Sequence, residues 1–512
     1  MILSHKSIIL SNEIFWGRKI MTEKDYLKQI DYVIESGPYT DSWQSLCKHK
    51  TPEWYKNAKF GIFIHWGIYS VPAFGNEWYS REMYDKSKPA YRHHREKYGN
   101  QKDFGYKDFI PMFKAENFNP EKWAELFKNS GAKYIMPVAE HHDGFAMYNT
   151  EFNRWNSVNM GPERDVLGEL KTAVENVGLA FCASNHRAEH YFFMNMGRTF
   201  DSDVCDERYA DFYGPAYYCK ELSSDKMGVT ASNCRSVPPT EDFLKDWLVR
   251  ICELIDKYKP KVVYFDWWIH NRAFKPYLKK FAAYYYNRAA EWGTEVTINY
   301  KLQAFAPGSA TFDVERGALT DISPVPWQTC TSIAKNSWGY TENNKFKSAY
   351  HVICDLIDIV SKNGVMLLNV GPKPDGTISE EETVVLNEIG DWLKTNGEGI
   401  YDTVSWKTFG EGKVNTKDGS FKDNKTKKYI EKDFRFTYKD GAVYVFQMKP
   451  THDGVIRIKN FKKITQDAIV YSVKLLGNHS PIIISRTEKY MELKLMEIPQ
   501  TTLPLCFKIV FE

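Results

Sequence analysis

Short, nearly continuous apolar runs alternate with amphipathic helical patterns over most of this 512-residue chain, and that alternation constrains the fold more than any other feature. The runs are Phe60 to Trp66, Lys133 to Ala139, Leu179 to Ser184, Val262 to Asp266, Glu295 to Tyr300 and Val365 to Val370. Strands that read this way are buried on both faces, and strands that alternate with helices build βα units around a parallel sheet. Asn119-Pro120-Glu121 opens one helix with an Asn N-cap and Pro at the first helical position, and Ser379-Glu380-Glu381-Glu382 reads as a capping box before another. Apolar residues three and four apart predict helices over Thr240 to Tyr258 and Lys345 to Lys362. Two weaker segments, Ala310 to Glu315 and Trp327 to Ser332, raise the strand number to eight. The expected fold class is therefore α/β, a (β/α)8-like barrel.

After about Gly399 the helical period disappears. From Glu431 onward, alternating strand-like segments are separated by turn signals such as Lys439-Asp440-Gly441 and His452-Asp453-Gly454, as in an all-β domain. The expected organisation is an N-terminal segment over 1–50, a catalytic barrel over 51–400 and a C-terminal β-sandwich over 401–512. The Lys/Asp/Gly-rich stretch Gly410 to Lys428 reads as the first hairpin of the sandwich with a long mobile loop.

Composition narrows the function. With 68 Lys+Arg against 65 Asp+Glu, the net charge is +3, and no concentrated basic block occurs in the first 400 residues. No electrostatic footprint for nucleic acid or an anionic membrane follows from that. The nine cysteines include no CxxC pair, which argues against a disulfide framework or a zinc ribbon. The apolar run Ser7 to Leu10 is too short for a signal-peptide core, and no stretch approaches a membrane span, so cytoplasmic residence is the expectation. Met21 is an alternative start. Aromatic residues make up 15%, enough to fill large cores or to stack on sugar rings.

The ends of the expected strands carry the chemistry. In a parallel barrel these ends converge on the face that holds the active site. Here they read Ile64-His65-Trp66, Glu140-His141-His142-Asp143, Asn185-His186-Arg187, Asp266-Trp267-Trp268 and Asn299-Tyr300-Lys301. A loop after the first strand adds Asn76-Glu77-Trp78-Tyr79. Carboxylates, imidazoles and Trp/Tyr faces, without a Gly-rich phosphate loop or a GxSxG elbow, suit a neutral polyhydroxylated ligand.

Phe60-Gly61-Ile62-Phe63-Ile64-His65-Trp66-Gly67, Glu77-Trp78-Tyr79, Glu140-His141-His142-Asp143-Gly144-Phe145, Tyr264-Phe265-Asp266 and Leu368-Asn369-Val370-Gly371-Pro372 occur in that order. Together they resemble the retaining α-L-fucosidases, glycoside hydrolase family 29, over about Thr51 to Thr403. The resemblance implies an exo-acting hydrolase of terminal α-linked L-fucose on fucosylated oligosaccharides or glycoconjugates, without a cofactor or a metal. It implies Asp266 as nucleophile and His65, His141, His142, Glu77 and Trp78 as fucose-binding residues, with His186, Tyr264 and Lys301 in the same pocket. For the acid/base it offers Glu315, Asp313 and Asp321, of which Glu315 is favoured. Gln328 cannot serve as an acid.

Two other readings stand beside this one. His186-Arg187-Ala188-Glu189-His190 fits the HxxEH pattern of a zinc peptidase helix, although a run directly after a strand points instead to Arg187, Glu189 and His190 bordering the sugar or its aglycone. A fucose-binding, lectin-like protein without its acid is the alternative to an enzyme. Linkage preference and oligomeric state are not specified by the sequence.

Overall fold

The computed structural model describes residues 21–217, 238–414, 416–423, 428–459, 469–487 and 489–511. The apolar run Ser7 to Leu10, Cys219 and Cys234 lie outside the described residues. Eight strands close into a parallel barrel: β1 (Phe60–Ile64), β2 (Tyr134–Glu140), β3 (Ala180–Phe181) continued by β4 (Ala183–Asn185), β5 (Val262–Phe265), β6 (Thr297–Tyr300), β7 (Thr311–Asp313), β8 (Trp327–Ser332) and β9 (Gly364–Val370). The strand order runs β1-β9-β8-β7-β6-β5-β4-β2, and β2 pairs back onto β1 to close the ring. All six segments read as strands are strands. The two weak ones are as well, although β7 is only three residues long and its central Phe312 is 36% exposed.

Continuous apolar character is explained by two separate cores. Side chains on the inner face, among them Phe63, Tyr134, Met136, Val138, Tyr264, Cys330, Val365 and Leu367, fill the barrel, and Tyr55 plugs it from below. Apart from α1 (Glu23–Ser36), the helices pack on the outer face, chiefly α2 (Pro120–Asn129), α3 (Val166–Asn176), α4 (Glu241–Tyr258), α5 (Lys275–Trp292), α6 (Ala349–Ser361) and α7 (Glu380–Asn396), and α1 lies over two of them, α4 and α5. Asn119 caps α2, its Oδ1 accepting from Lys122 N–H at 2.8 Å. Among the described residues no helix is long and apolar enough to cross a membrane.

Beyond α7 come two antiparallel sheets. One runs β10 (Val404–Glu411), β11 (Phe434–Lys439), β12 (Ala442–Gln447), β17 (Leu505–Phe511) and β14 (Val470–Leu475) in spatial order; the other runs β13 (Val455–Ile458), β16 (Met491–Leu495) and β15 (Ile482–Arg486). Phe434, Phe436, Val445, Ile456, Leu493 and Phe507 share the core between them. At the β11–β12 turn Asp440 and Gly441 both take positive φ, as a two-residue hairpin requires.

The stretch expected to be a mobile loop departs from that reading. Its residues 416–423 lie back on the barrel: Gly419 bridges to Ala318, and the N–H groups of Phe421, Lys422 and Asp423 donate to the carbonyls of Glu315 and Arg316 at 2.7 to 3.0 Å. Its backbone polar groups find their partners there, which removes the reason for a solvated loop.

Candidate active site

His65, His141, His142, His186, Asp266 and Lys301 are each the first or second position beyond a strand, so the barrel geometry alone gathers them at one end. His65, Glu77, Trp78, His141, His142, His186, Tyr264, Asp266 and Glu315 line one cavity of about 320 Å³. His65 is fixed by Asn369 of the neighbouring β9, whose Oδ1 accepts from His65 Nδ1 at 2.7 Å and leaves Nε2 as an acceptor. His142 Nδ1 donates to the carbonyl of His186 at 3.0 Å, and its Nε2 lies 3.4 Å from Asp266 Oδ2. His186 Nδ1 approaches the same oxygen at 3.3 Å, while its Nε2 meets Ser184 Oγ. His141 Nδ1 is buried and meets no hydrogen-bond partner among the described residues.

The electrostatics divide the residues into two groups. Burial pushes His65 and His141 well below the ordinary imidazole value and His142 down to about 3, so these rings are neutral over the working range of pH. For Asp266, burial would push the carboxyl up, but the His186 ring 3.3 Å away and the Lys301 charge outweigh it and hold the group well below its ordinary range. Glu315 goes the other way: burial pushes it up, Lys301 opposes, and the negative Asp266 adds to the rise. Two carboxyl groups in one cavity are thus driven apart, the pattern of a nucleophile and an acid.

Glu315 is separated from its rivals by position. It lines the cavity, and Trp267 Nε1–H and Lys301 Nζ both donate to its Oε2, the latter at 2.5 Å. Asp313 is buried lower in the barrel, accepting from Gln328 Nε2 at 2.7 Å, and Asp321 is exposed on the surface. Lys301 does not open onto the cavity. Its Nζ lies 3.7 Å from Asp266, 3.3 Å from Asp313 and 2.5 Å from Glu315, a counter-charge to three carboxylates rather than a sugar ligand. Tyr264 presents its ring to the cavity while its hydroxyl turns down toward Asp313 and Cys330, 3.4 and 3.3 Å away. Glu77 Oε2 accepts from Trp338 N–H at 2.9 Å and Ser337 Oγ at 3.1 Å, and Trp78 meets the His142 ring edge-on.

The HxxEH run is not a metal helix. Arg187–Glu189 forms a 3-10 turn and His190–Phe193 a single short helix. His190 packs against Gly144 and Gly214, where a Cβ would come within 2.5 and 2.7 Å of its ring, and its Nδ1 donates to the carbonyl of His142 at 2.9 Å. Arg187 bridges Glu140 at 2.9 Å and Asp246 at 2.6 Å, and Glu189 lies behind His142, 3.2 Å from its Nδ1. All three support the pocket from behind instead of bordering the sugar. Among the described residues, the groups able to gather ligand atoms around an ion are His65, His141 and His186, and His142, His186 and Asp266, in each of which the atoms lie within 4.8 Å of one another. Both belong to the same cavity.

Three contributors escaped sequence reasoning. Asn369 lies inside the Leu368-Asn369-Val370 run that served as a motif, so its signal was present. Trp338, stacked on His65 at 5.1 Å with the Arg316 guanidinium 4.4 Å over its face, sits in a loop after β8 with no pattern to mark it. Phe421 comes from beyond the barrel altogether.

The family model for alpha-L-fucosidase matches residues 27–398. The chain belongs to the alpha-L-fucosidase family. The plasma alpha-L-fucosidase of Homo sapiens is 30% identical over 482 residues, covering 91% of this chain and 89% of that protein. An alpha-L-fucosidase of Branchiostoma floridae is 32% identical over 387 residues, covering 72% of this chain and 76% of its own length. A solved structure of the Thermotoga maritima alpha-fucosidase in complex with fucose shares 28% identity and superposes with a TM-score of 0.69, covering 92% of this chain and all of that one. This family member is a glycoside hydrolase, and the lectin-like alternative is not favoured by these relationships.

Proposed function

We propose that this enzyme releases terminal α-linked L-fucose from fucosylated oligosaccharides or glycoconjugates with net retention, Asp266 acting as nucleophile and Glu315 as acid and then base. The spacing of the two carboxylates carries the reading. Both reach the single Lys301 ammonium, Asp266 through Oδ1 at 3.7 Å and Glu315 through Oε2 at 2.5 Å, so these two facing oxygens cannot be further apart than those distances laid end to end. That limit falls short of the roughly 6.5 to 9.5 Å an inverting enzyme needs to seat its water, and it accommodates the ~5 to 5.5 Å of a double displacement.

In the first step an Asp266 oxygen forms a bond to the anomeric carbon as the glycosidic bond breaks, and the Glu315 proton passes to the departing oxygen. In the second, water attacks the same carbon, Glu315 takes its proton, and Asp266 leaves as carboxylate. Esterification removes the negative charge that helped to raise Glu315, so the acid becomes a base when one is needed. His65, His141, His142 and His186, with Glu77 and Trp78, hold the sugar hydroxyls. The fucose bound in the Thermotoga maritima relative supports that choice of ligand.

Proton NMR of an aryl α-L-fucoside digest tests the stereochemistry. α-L-fucose should appear first and the β anomer only as mutarotation proceeds; β-L-fucose as first product would overturn the mechanism.

A further inference from the structure

Phe421 combines three features that packing does not explain. Its ring is 61% exposed although it lines the catalytic cavity. Its φ of 58° lies in the left-handed region that a bulky residue enters only at a cost. Its main chain is nevertheless pinned there: Phe421 N–H donates to the Glu315 carbonyl at 2.9 Å, and the next two N–H groups donate to the Arg316 carbonyl at 2.7 and 3.0 Å. Asp423 anchors the far side through Lys347 at 2.6 Å and Thr331 at 2.6 Å. An apolar side chain held exposed in an unfavourable conformation at a site mouth points to a ligand.

The neighbours say which part of the ligand. Phe421 stacks on Trp267, ring centroids 5.9 Å apart and planes 13° from parallel. Trp267 in turn donates its indole N–H to Glu315, the group proposed to protonate the departing oxygen. The sugar attached through that oxygen must lie on the Glu315 side of the cavity, where these two rings stand.

We propose that Phe421, backed by Trp267, is the platform for the residue next to fucose, and that the ligand it takes is a pyranose presenting its apolar C–H face. This deepens the fucosidase reading and rests on it. The segment 416–423, which follows β10 in the C-terminal part of the chain, is then a determinant of which fucosides are cleaved.

The test compares kcat/KM for a fucosylated trisaccharide with that for α-L-fucosyl fluoride, whose leaving group is a single atom and offers Phe421 nothing to touch. In Phe421→Ala the ratio of trisaccharide to fluoride should fall roughly two- to twelvefold, the size of one aromatic contact. Phe421→Trp should restore most of it, and the defucosylated disaccharide should inhibit Phe421→Ala more weakly by a similar factor. A ratio unchanged in Phe421→Ala overturns the platform. So does an equal fall with both substrates, which would make Phe421 a support for Glu315. Wild-type protein that cleaves neither substrate would instead defeat the fucosidase reading from which the platform is argued.

Discussion

At the residue scale, the site depends on two carboxylates with opposite tendencies, and the pH profile should expose them separately. Asp266 is held well below its ordinary range, so it is ionised throughout and contributes no acidic limb near neutrality. As the proposed acid, Glu315 has to be protonated for cleavage, and burial raises it above its ordinary value of 4.5, so activity should fall as pH rises through that raised value. Glu315→Ala should therefore erase the basic limb and slow substrates with poor leaving groups by about 10² to 10⁴-fold more than activated aryl fucosides. Steady-state kinetics with both classes across pH are the check; an equal loss with the basic limb intact would reduce Glu315 to a structural partner. The residues legible in the sequence were those whose type and position both signalled, such as His65 or Asp266 directly beyond an apolar strand. Lys301 was visible as a pocket residue but not as a counter-charge, because its partners Asp313 and Glu315 belong to another strand and loop. Distances across a barrel are not written in local spacing.

At the scale of elements, the capping signal before α7 does mark a helix start, yet its carboxylate does something else. Ser379 Oγ accepts from Glu382 N–H at 3.3 Å, but the Glu382 side chain, instead of returning to the cap backbone, accepts from Gly371 N–H at 3.0 Å and Ser379 Oγ–H at 3.1 Å. It thereby ties α7 to the end of β9. The cost is burial, which pushes Glu382 up to about 7. A carboxyl with a raised folded value binds its proton more tightly when folded, so stability falls as pH rises from about 4.5 to 7 and the full penalty stands above that. Glu382→Gln keeps an acceptor for Gly371 and removes the charge. Its melting temperature should exceed that of the parent at pH 8, by up to ~3 kcal/mol of stability, and the gain should shrink at pH 5. Thermal melts at the two pH values decide this, since an equal shift at both would mean that the charge is not the cause. Strands were the most legible elements because burial on both faces leaves little room for polar residues. The barely apolar β7 was the weakest because it pairs over only two positions on each side.

At the scale of the whole molecule, the barrel and the antiparallel sheets share a buried ionic junction that the composition shift at about Gly399 does not reveal. Asp358 of α6 accepts from Arg435 Nε of β11 at 2.6 Å, from Lys362 Nζ at 3.0 Å and from Thr416 Oγ at 2.8 Å, and both Asp358 and Arg435 are almost fully excluded from solvent. Arg435 also donates to the carbonyls of Phe434 and Val414, each at 2.9 Å. The junction therefore fixes the start of the segment that carries Phe421 to the catalytic cavity. A change of sequence character marks where one kind of element replaces another; it says nothing of how firmly the two are joined. Here the joining is strong enough to predict that the parent protein melts in one transition. Replacing one partner of a buried ion pair leaves the other charge uncompensated, at about 3 to 5 kcal/mol, and Lys362 beside Asp358 places this case toward the lower end. Arg435→Met should lower the melting temperature by a corresponding amount and separate calorimetric unfolding into two steps. Activity on a fucosylated trisaccharide should disappear with the first step, as the segment 416–423 comes away from Glu315. A melting profile the same as that of the parent protein would show that the apolar contacts between α6 and the sheets suffice, and that the ionic junction is not what couples them.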